Sequence, residues 1–247
     1  MKRLLTILSL SVVFCISTLA QTNLMEYPVW KKPVKEIVAS RKGFTLSYNP
    51  DYKIPNWVAY EITCEETKGT VPRCKYFVPD PDMGRHSADN DDYRLSGWDR
   101  GHMAPAGDMK WDSTAMAESF YYSNVCPQNH DLNGGEWHKL ENKVRAWACK
   151  FDRLWVVTGP IIGVNPSTIG PHKVVVPAAF FKAVLYYHNG TYEAVGFMMP
   201  NRNDECPLWD FALSIDDLEL LTGLDFFSVL PDAIENQIES EYHPKRW

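Results

Sequence analysis

GWDRGHMAPAGDM, running from Gly97 to Met109, decides how the rest of the chain is read. It sets Asp99, Arg100 and His102 around one glycine, then breaks into Pro105 and Gly107. Alone, such a tetrapeptide suits a charged strand end as well as a reactive centre. A neutral imidazole, with a pKa near 6.5, can take a proton from water at working pH. Whether His102 does so depends on what the chain brings beside it.

Some thirty residues on comes Asp131-Leu132-Asn133-Gly134-Gly135, followed by GEWHKLENKVRAWACK from Gly135 to Lys150. Trp137, Leu140, Val144 and Ala148 recur at spacings of three and four, which predicts an amphipathic helix. Separately the parts are ordinary: Asn133-Gly134 suits a tight turn, and Glu141 with Arg145 suits a surface ion pair. Jointly they offer a base, a neutral oxygen donor, a carboxylate and two guanidinium groups. A phosphodiester is an anion that resists attack by another anion, so its hydrolysis needs hydroxide and neutralised charge. If residues 133–141 are helical, they rise about 12 Å and turn about 80°. Short side chains at 133 and 141 would then struggle to meet at any single ion, and a water would be needed between Glu141 and an ion held at Asn133.

DRGHMAP (99–105), YYSNVCPQ (121–128) and LNGGEWHKLENKVR (132–145) together resemble the DNA/RNA non-specific endonucleases, a ββα-metal family. NWVAY (56–60), VVTGPI (156–161), VPAAFFK (176–182) and GLDFF (223–227) extend the resemblance over most of the chain. It implies the ββα-metal nuclease fold and hydrolysis of DNA and RNA to 5′-phosphate and 3′-hydroxyl ends. It implies His102 as general base, Asn133 as the protein ligand to Mg²⁺ (Mn²⁺ as a substitute), and Glu141 as the residue holding metal-bound water. Arg100 and Arg145 match positions that contact phosphate. A basic position before the WVAY-like strand falls on Lys53, a point charge in place of a bidentate fork. Lys182 is a further candidate for substrate binding. His130 and His138 are read as surface or hydrogen-bonded side chains, Asp108 as a loop residue, and Asp99 as an orienting group of unassigned role.

The remaining sequence suits one α+β domain over residues 21–247, with a mostly antiparallel central sheet flanked by helices. Strands are expected at 44–50, 56–64, 120–127 and 154–158, and a hairpin turning at Asn189-Gly190. Helices are expected at 111–120, behind Asp112 and Ser113, and from the Ser214 capping box to Gly223. Lys2 and Arg3, the apolar run after them and Ala20 read as a signal peptide cleaved near Ala20, hence a secreted or periplasmic product without a membrane anchor. Export makes disulfides plausible among Cys64, Cys74, Cys126, Cys149 and Cys206, with Cys64–Cys74 the first expectation. The 25 basic and 31 acidic side chains give a net charge of −6, which excludes a passive nucleic-acid coat but allows a local basic site. A homodimer and an inhibitor partner are left open. The rival readings are a phosphodiesterase confined to one nucleic acid, a silent binding domain on this scaffold, and a cysteine hydrolase built on Cys126 or Cys149.

Overall fold

In the computed structural model residues 25–247 are described. The signal-peptide reading on residues 1–20 lies outside them. The frame is a seven-stranded antiparallel sheet. Its strands are β1 (Ile37–Ser40), β2 (Thr45–Asn49), β3 (Ile54–Thr63), β6 (Arg153–Ile161), β7 (Ala179–His188), β8 (Thr191–Pro200) and β9 (Ala212–Leu213). A separate ribbon pairs β4 (Asp99–His102) with β5 (Val125–Gln128). Across the large sheet the order is β9-β8-β7-β6-β3-β2-β1, with the β7–β8 hairpin turning at Asn189-Gly190 as expected.

Helices cover both faces of the sheet. On one lies α4 (Glu136–Phe151), whose Trp137, Leu140, Val144 and Ala148 are buried together with Phe180 and Val184 of β7 and Tyr60 of β3. Each large apolar side chain so buried contributes about 1.5–3 kcal/mol. On the other face α5 (Ile215–Thr222) and α6 (Asp232–Glu239) bring Ile215, Leu218 and Ile238 onto Trp57, Val157, Phe181, Ala183 and Leu185. Successive residues of a strand point to opposite faces, so Phe180, Lys182 and Val184 look toward α4 while Phe181, Ala183 and Leu185 look away. Cover on both faces explains why residues 179–186 are buried without a polar alternation. The α+β class and the antiparallel sheet between helical layers agree with the sequence reading.

Two local expectations change. Residues 120–124 are not strand: Tyr122–Asn124 form a 3₁₀ turn and β5 begins only at Val125. Asn124 enforces this, since its side chain bonds the N–H and C=O of Ala104 and the C=O of Ser119. The disulfide is Cys64–Cys149, with Cα atoms 4.2 Å apart, and not Cys64–Cys74. Thr63 and Glu66 form a capping box that turns the chain into a short helix α1 (Cys64–Thr67), so no partner strand carries Cys74 back beside Cys64. Cys64 instead meets the last turn of α4. The helix α2 (Ser113–Ser119) forms as expected, with Asp112 accepting from the N–H groups of Thr114 and Ala115. Among the described residues no helix is long and apolar enough to cross a membrane.

Candidate active site

The β4–β5 ribbon presents the opening motif. Arg100 and His102 are two residues apart on one strand and therefore share a face. Gly101 between them lies so close to Gln128 that an added Cβ would sit 2.6 Å from that residue's Cβ. Any side chain here would force the ribbon apart.

His102 is 7% exposed and packs against Phe77 and Phe120, with ring centroids 5.1 and 5.0 Å away. Its Nε2 is buried and has no hydrogen-bond partner among the described residues. Burial, reinforced by the nearby Arg73 charge, pushes its pKa down to about 3. The ring is neutral and held by packing alone. Arg100 is braced differently: Nε donates to the Tyr122 hydroxyl at 3.1 Å and Nη2 to Asn90 Oδ1 at 2.9 Å. Its guanidinium also lies 5.2 Å from the Tyr93 ring centroid.

Asn133 sits on the short helix α3 (His130–Gly134), capped by the Asn129 side chain. Its Nδ2 donates to Asp99 Oδ2 at 2.9 Å, and the same oxygen lies 3.0 Å from His130 Nδ1. An ionised carboxylate can only accept, so Asp99 fixes the amide with its nitrogen inward and leaves Oδ1 for another partner. Asp99 thus orients Asn133 and His130, which gives the orienting group its partners.

Helix α3 does not run on into α4. Gly135 adopts φ −102° and ψ −112°, and a Cβ there would strike the carbonyl oxygen of Asp131. This break removes the premise of one continuous helix over residues 133–141, and Asn133 and Glu141 line the same cleft. One turn beyond Glu141, Arg145 donates from Nη1 to Asp108 Oδ1 at 2.6 Å and from Nη2 to Asn142 Oδ1 at 2.7 Å. Asp108 is 2% exposed and also accepts from the Tyr60 hydroxyl at 2.9 Å. It is a loop residue, as expected, lying in the turn over 106–110, and at the same time a buried anchor for Arg145.

These side chains converge on a cleft of about 230 Å³, lined by Arg73, Arg100, His102, Asn133, His138, Glu141 and Arg145, with Pro105, Ala106 and Gly107 completing its wall. Glu141 is half-buried, and loss of solvent raises its pKa, while Lys182, Arg145 and Arg73 pull it back. Three arginines make the cleft basic inside an acidic chain, which favours a polyanion at this point.

The two lysines expected to bind substrate are elsewhere. Lys182 is fully buried on the α4 face of β7, where Nζ donates to Thr158 Oγ1 at 2.6 Å and lies 4.9 Å from the Trp137 ring centroid. Burial lowers its pKa, and its charge acts on Glu141 from beneath, without reaching the cleft. Lys53 occupies the turn before β3 with φ +59°, and it does not line the cleft either. His138, expected as a surface side chain, is exposed and lines the cleft, and its i, i+3, i+7 spacing with Glu141 and Arg145 is the signal of a shared face. One charged lining residue was missed. Arg73, 5.1 Å from the Phe120 ring centroid, comes from an irregular segment that carries no such signal. The cysteine-hydrolase rival loses both its nucleophiles, because Cys149 is in the disulfide and burial raises the Cys126 thiol well above its usual range.

A model of the DNA/RNA non-specific endonuclease family matches residues 21–233. The chain is similar to mitochondrial nuclease EXOG of Xenopus laevis, 38% identical over 203 residues, covering 75% of this chain and 56% of that protein. It is similar to mitochondrial endonuclease G of Homo sapiens, 34% identical over 202 residues, covering 76% of this chain and 68% of that protein. A chain in the crystal structure of an EndoG/EndoGI complex superposes with a TM-score of 0.76 at 30% identity, covering 82% of this chain and 90% of that one. The chain spans little more than half the length of the EXOG relatives it matches. These relatives are mitochondrial by name, which overturns the expectation of a secreted or periplasmic protein. That expectation rested on a basic pair followed by an apolar run, a pattern that reports hydrophobicity and charge more directly than destination.

Proposed function

Because this chain belongs to the DNA/RNA non-specific endonuclease family, we propose that it hydrolyses phosphodiester bonds in both DNA and RNA, with a divalent cation as cofactor. The observation that carries this reading is His102: a neutral imidazole, clamped by Phe77 and Phe120, in a cleft rimmed by Arg73, Arg100 and Arg145.

His102 takes a proton from water, and the resulting hydroxide attacks phosphorus. A base whose pKa in the free cleft is near 3 is weak, but the entering phosphate brings a negative charge beside it. That charge opposes the Arg73 effect and raises the proton affinity when substrate is bound. Arg100 and Arg145 hold nonbridging phosphate oxygens and neutralise the charge that grows on them. Both are pre-positioned, by the Tyr122–Asn90 brace and by Asp108 respectively, so little rearrangement accompanies binding. The bond to the 3′-oxygen breaks, leaving 5′-phosphate and 3′-hydroxyl ends. Contacts directed to phosphate carry no base information, which fits broad specificity.

The residues present fit a cation. Asp99 turns the Asn133 carbonyl oxygen outward, and one neutral oxygen donor suits Mg²⁺, which retains most of its waters; Mn²⁺ is the expected substitute. Asn133 would hold the ion and Glu141 would hold water beside it. The bound cation supplies charge neutralisation at the phosphate and a more acidic water.

Digestion of duplex DNA, single-stranded DNA and RNA in parallel, by wild type and His102→Ala with Mg²⁺ present, tests the proposal. Wild type should cut all three, and the variant should be slower by roughly 10²–10⁴-fold, the usual worth of a general base. Equal rates would remove His102 from the chemistry. Activity that survives EDTA would remove the cation.

A further inference from the structure

A second cluster of charged side chains lies across the sheet from the cleft, on the layer built by α5 and α6. Asp216 and Glu219 are three residues apart on α5 and so share one helix face. Glu239 ends α6. Oxygens from these three carboxyl groups lie within 4.8 Å of one another. That separation is what two ligands on opposite sides of one Ca²⁺ ion show, given Ca–O distances of about 2.3–2.6 Å.

Burial is the second observation. Glu239 is 6% exposed, and its Oε1 is buried without any hydrogen-bond partner among the described residues. Glu219 is equally buried but satisfied, with Lys31 Nζ at 2.6 Å from Oε2 and the Phe226 N–H at 2.8 Å from Oε1. Asp216 is exposed and stands at the mouth of the cluster. Asp225 and Glu235 lie close enough to add their charges. Among the described residues, the one cation in hydrogen-bond contact with these five acids is Lys31, and it serves Glu219. A carboxylate at a helix C-terminus also faces the negative end of the helix dipole. A carboxylate placed this way, dry, unpartnered and among like charges, calls for a counter-charge.

We propose that Asp216, Glu219 and Glu239 bind a calcium ion that clamps α5 to α6. An all-oxygen, carboxylate-rich set without His or Cys selects a hard cation. Helix-borne carboxylates at this spread suit the larger, geometrically tolerant Ca²⁺ better than Mg²⁺, which demands oxygens near 2.1 Å in an octahedron. Since α5 and α6 bury Ile215, Leu218 and Ile238 against the sheet, the ion would fasten this layer and stand apart from the cleft chemistry. The inference does not depend on the proposed nuclease reaction.

The test is a calcium titration of the full chain, first stripped with chelator and then held at constant excess Mg²⁺ so that the cleft is in one state throughout. Melting temperature and calorimetric heat are read for wild type, Asp216→Asn and Glu239→Gln. Ca²⁺ should raise the wild-type melting temperature in proportion to the logarithm of its concentration. Asp216→Asn, at an exposed position that leaves the core intact, should weaken that response at least tenfold in calcium concentration while its cleavage rate in Mg²⁺ stays at the wild-type value. Glu239→Gln should abolish the response. A wild type indifferent to Ca²⁺ overturns the proposal, and so does a response that Asp216→Asn leaves unchanged. A Glu239→Gln protein that melts higher than a calcium-insensitive wild type would show that Glu239 is simply protonated.

Discussion

Replacing His102 by asparagine should make folding less sensitive to acid, by about 3 kcal/mol between pH 7.5 and pH 4.5. The native ring is held neutral by its aromatic walls and by Arg73, with its pKa pushed down to about 3. In the unfolded chain the same ring has its ordinary pKa near 6.5. Between those two values the unfolded state carries one more proton than the native state, so stability rises with pH across that window and falls as pH drops through it. At pH 4.5, two units below 6.5, the unfolded state is favoured by about 2 × 1.4 kcal/mol. At pH 7.5 the effect is nil, because neither state holds the proton. Urea unfolding of wild type and variant at both pH values, with EDTA present, gives four stabilities by linear extrapolation. The wild-type loss on acidification should exceed the variant's by roughly 2–3 kcal/mol, other titrating groups cancelling in the comparison. If the two losses agree within about 0.5 kcal/mol, the native ring titrates near 6.5, and the picture of a base kept neutral by burial is wrong.

Asp99→Asn should raise the Mg²⁺ concentration for half-maximal cleavage by roughly 10–100-fold, as is usual when a residue behind a metal ligand is lost; an unchanged midpoint would show that Asn133 needs no hold from Asp99. Arg73→Ala should lower the slope of log affinity against log salt by about one, measured as DNA binding on a His102→Ala background. With His102 present, the same change should move the acid limb of the pH–rate profile upward, because Arg73 depresses the His102 pKa; a limb that stays or falls would separate the two residues. Cys149→Ser opens a covalent loop between residues 85 apart, which should cost on the order of 4 kcal/mol. The check is a melting curve that coincides with that of the reduced wild type.

The parts of the fold that were legible are those governed by local periodicity. Spacings of three and four around Trp137 place α4, and the capping signals at Asp112 and Ser214 place two further helices. The Asn189-Gly190 turn sets the register of the longest hairpin. The opening motif was legible because a period of two puts Arg100 and His102 on one face. What escaped was long-range or irregular. Asp108 meets Arg145 across 37 residues, and Cys64 meets Cys149 across 85; no local pattern links either pair. Lys182 looked like a substrate contact because it is a cation beside two phenylalanines, yet the alternation of β7 turns it toward the inside of the α4 layer. Arg73 reaches the cleft from a segment without regular structure. The Gly135 break was visible as a second glycine, but a glycine alone does not say whether a helix bends or ends.

Of the ten residues lining the cleft, all but Arg73 fall between Arg100 and Arg145. The proposed reactive centre is therefore a contiguous cassette: one ribbon, one capped turn and half of one helix, laid against a sheet that contributes support from behind. Such an arrangement separates two evolutionary problems. The cassette needs its internal geometry, set by Gly101, Asp99 and Gly135, and tolerates little change. The far face of the sheet and the helices on it can drift, acquire partners or lengthen without disturbing the atoms proposed to meet phosphate. Diversity within such a lineage is then expected at the periphery, in what the molecule is attached to and where it resides, while the reaction itself is inherited as a unit.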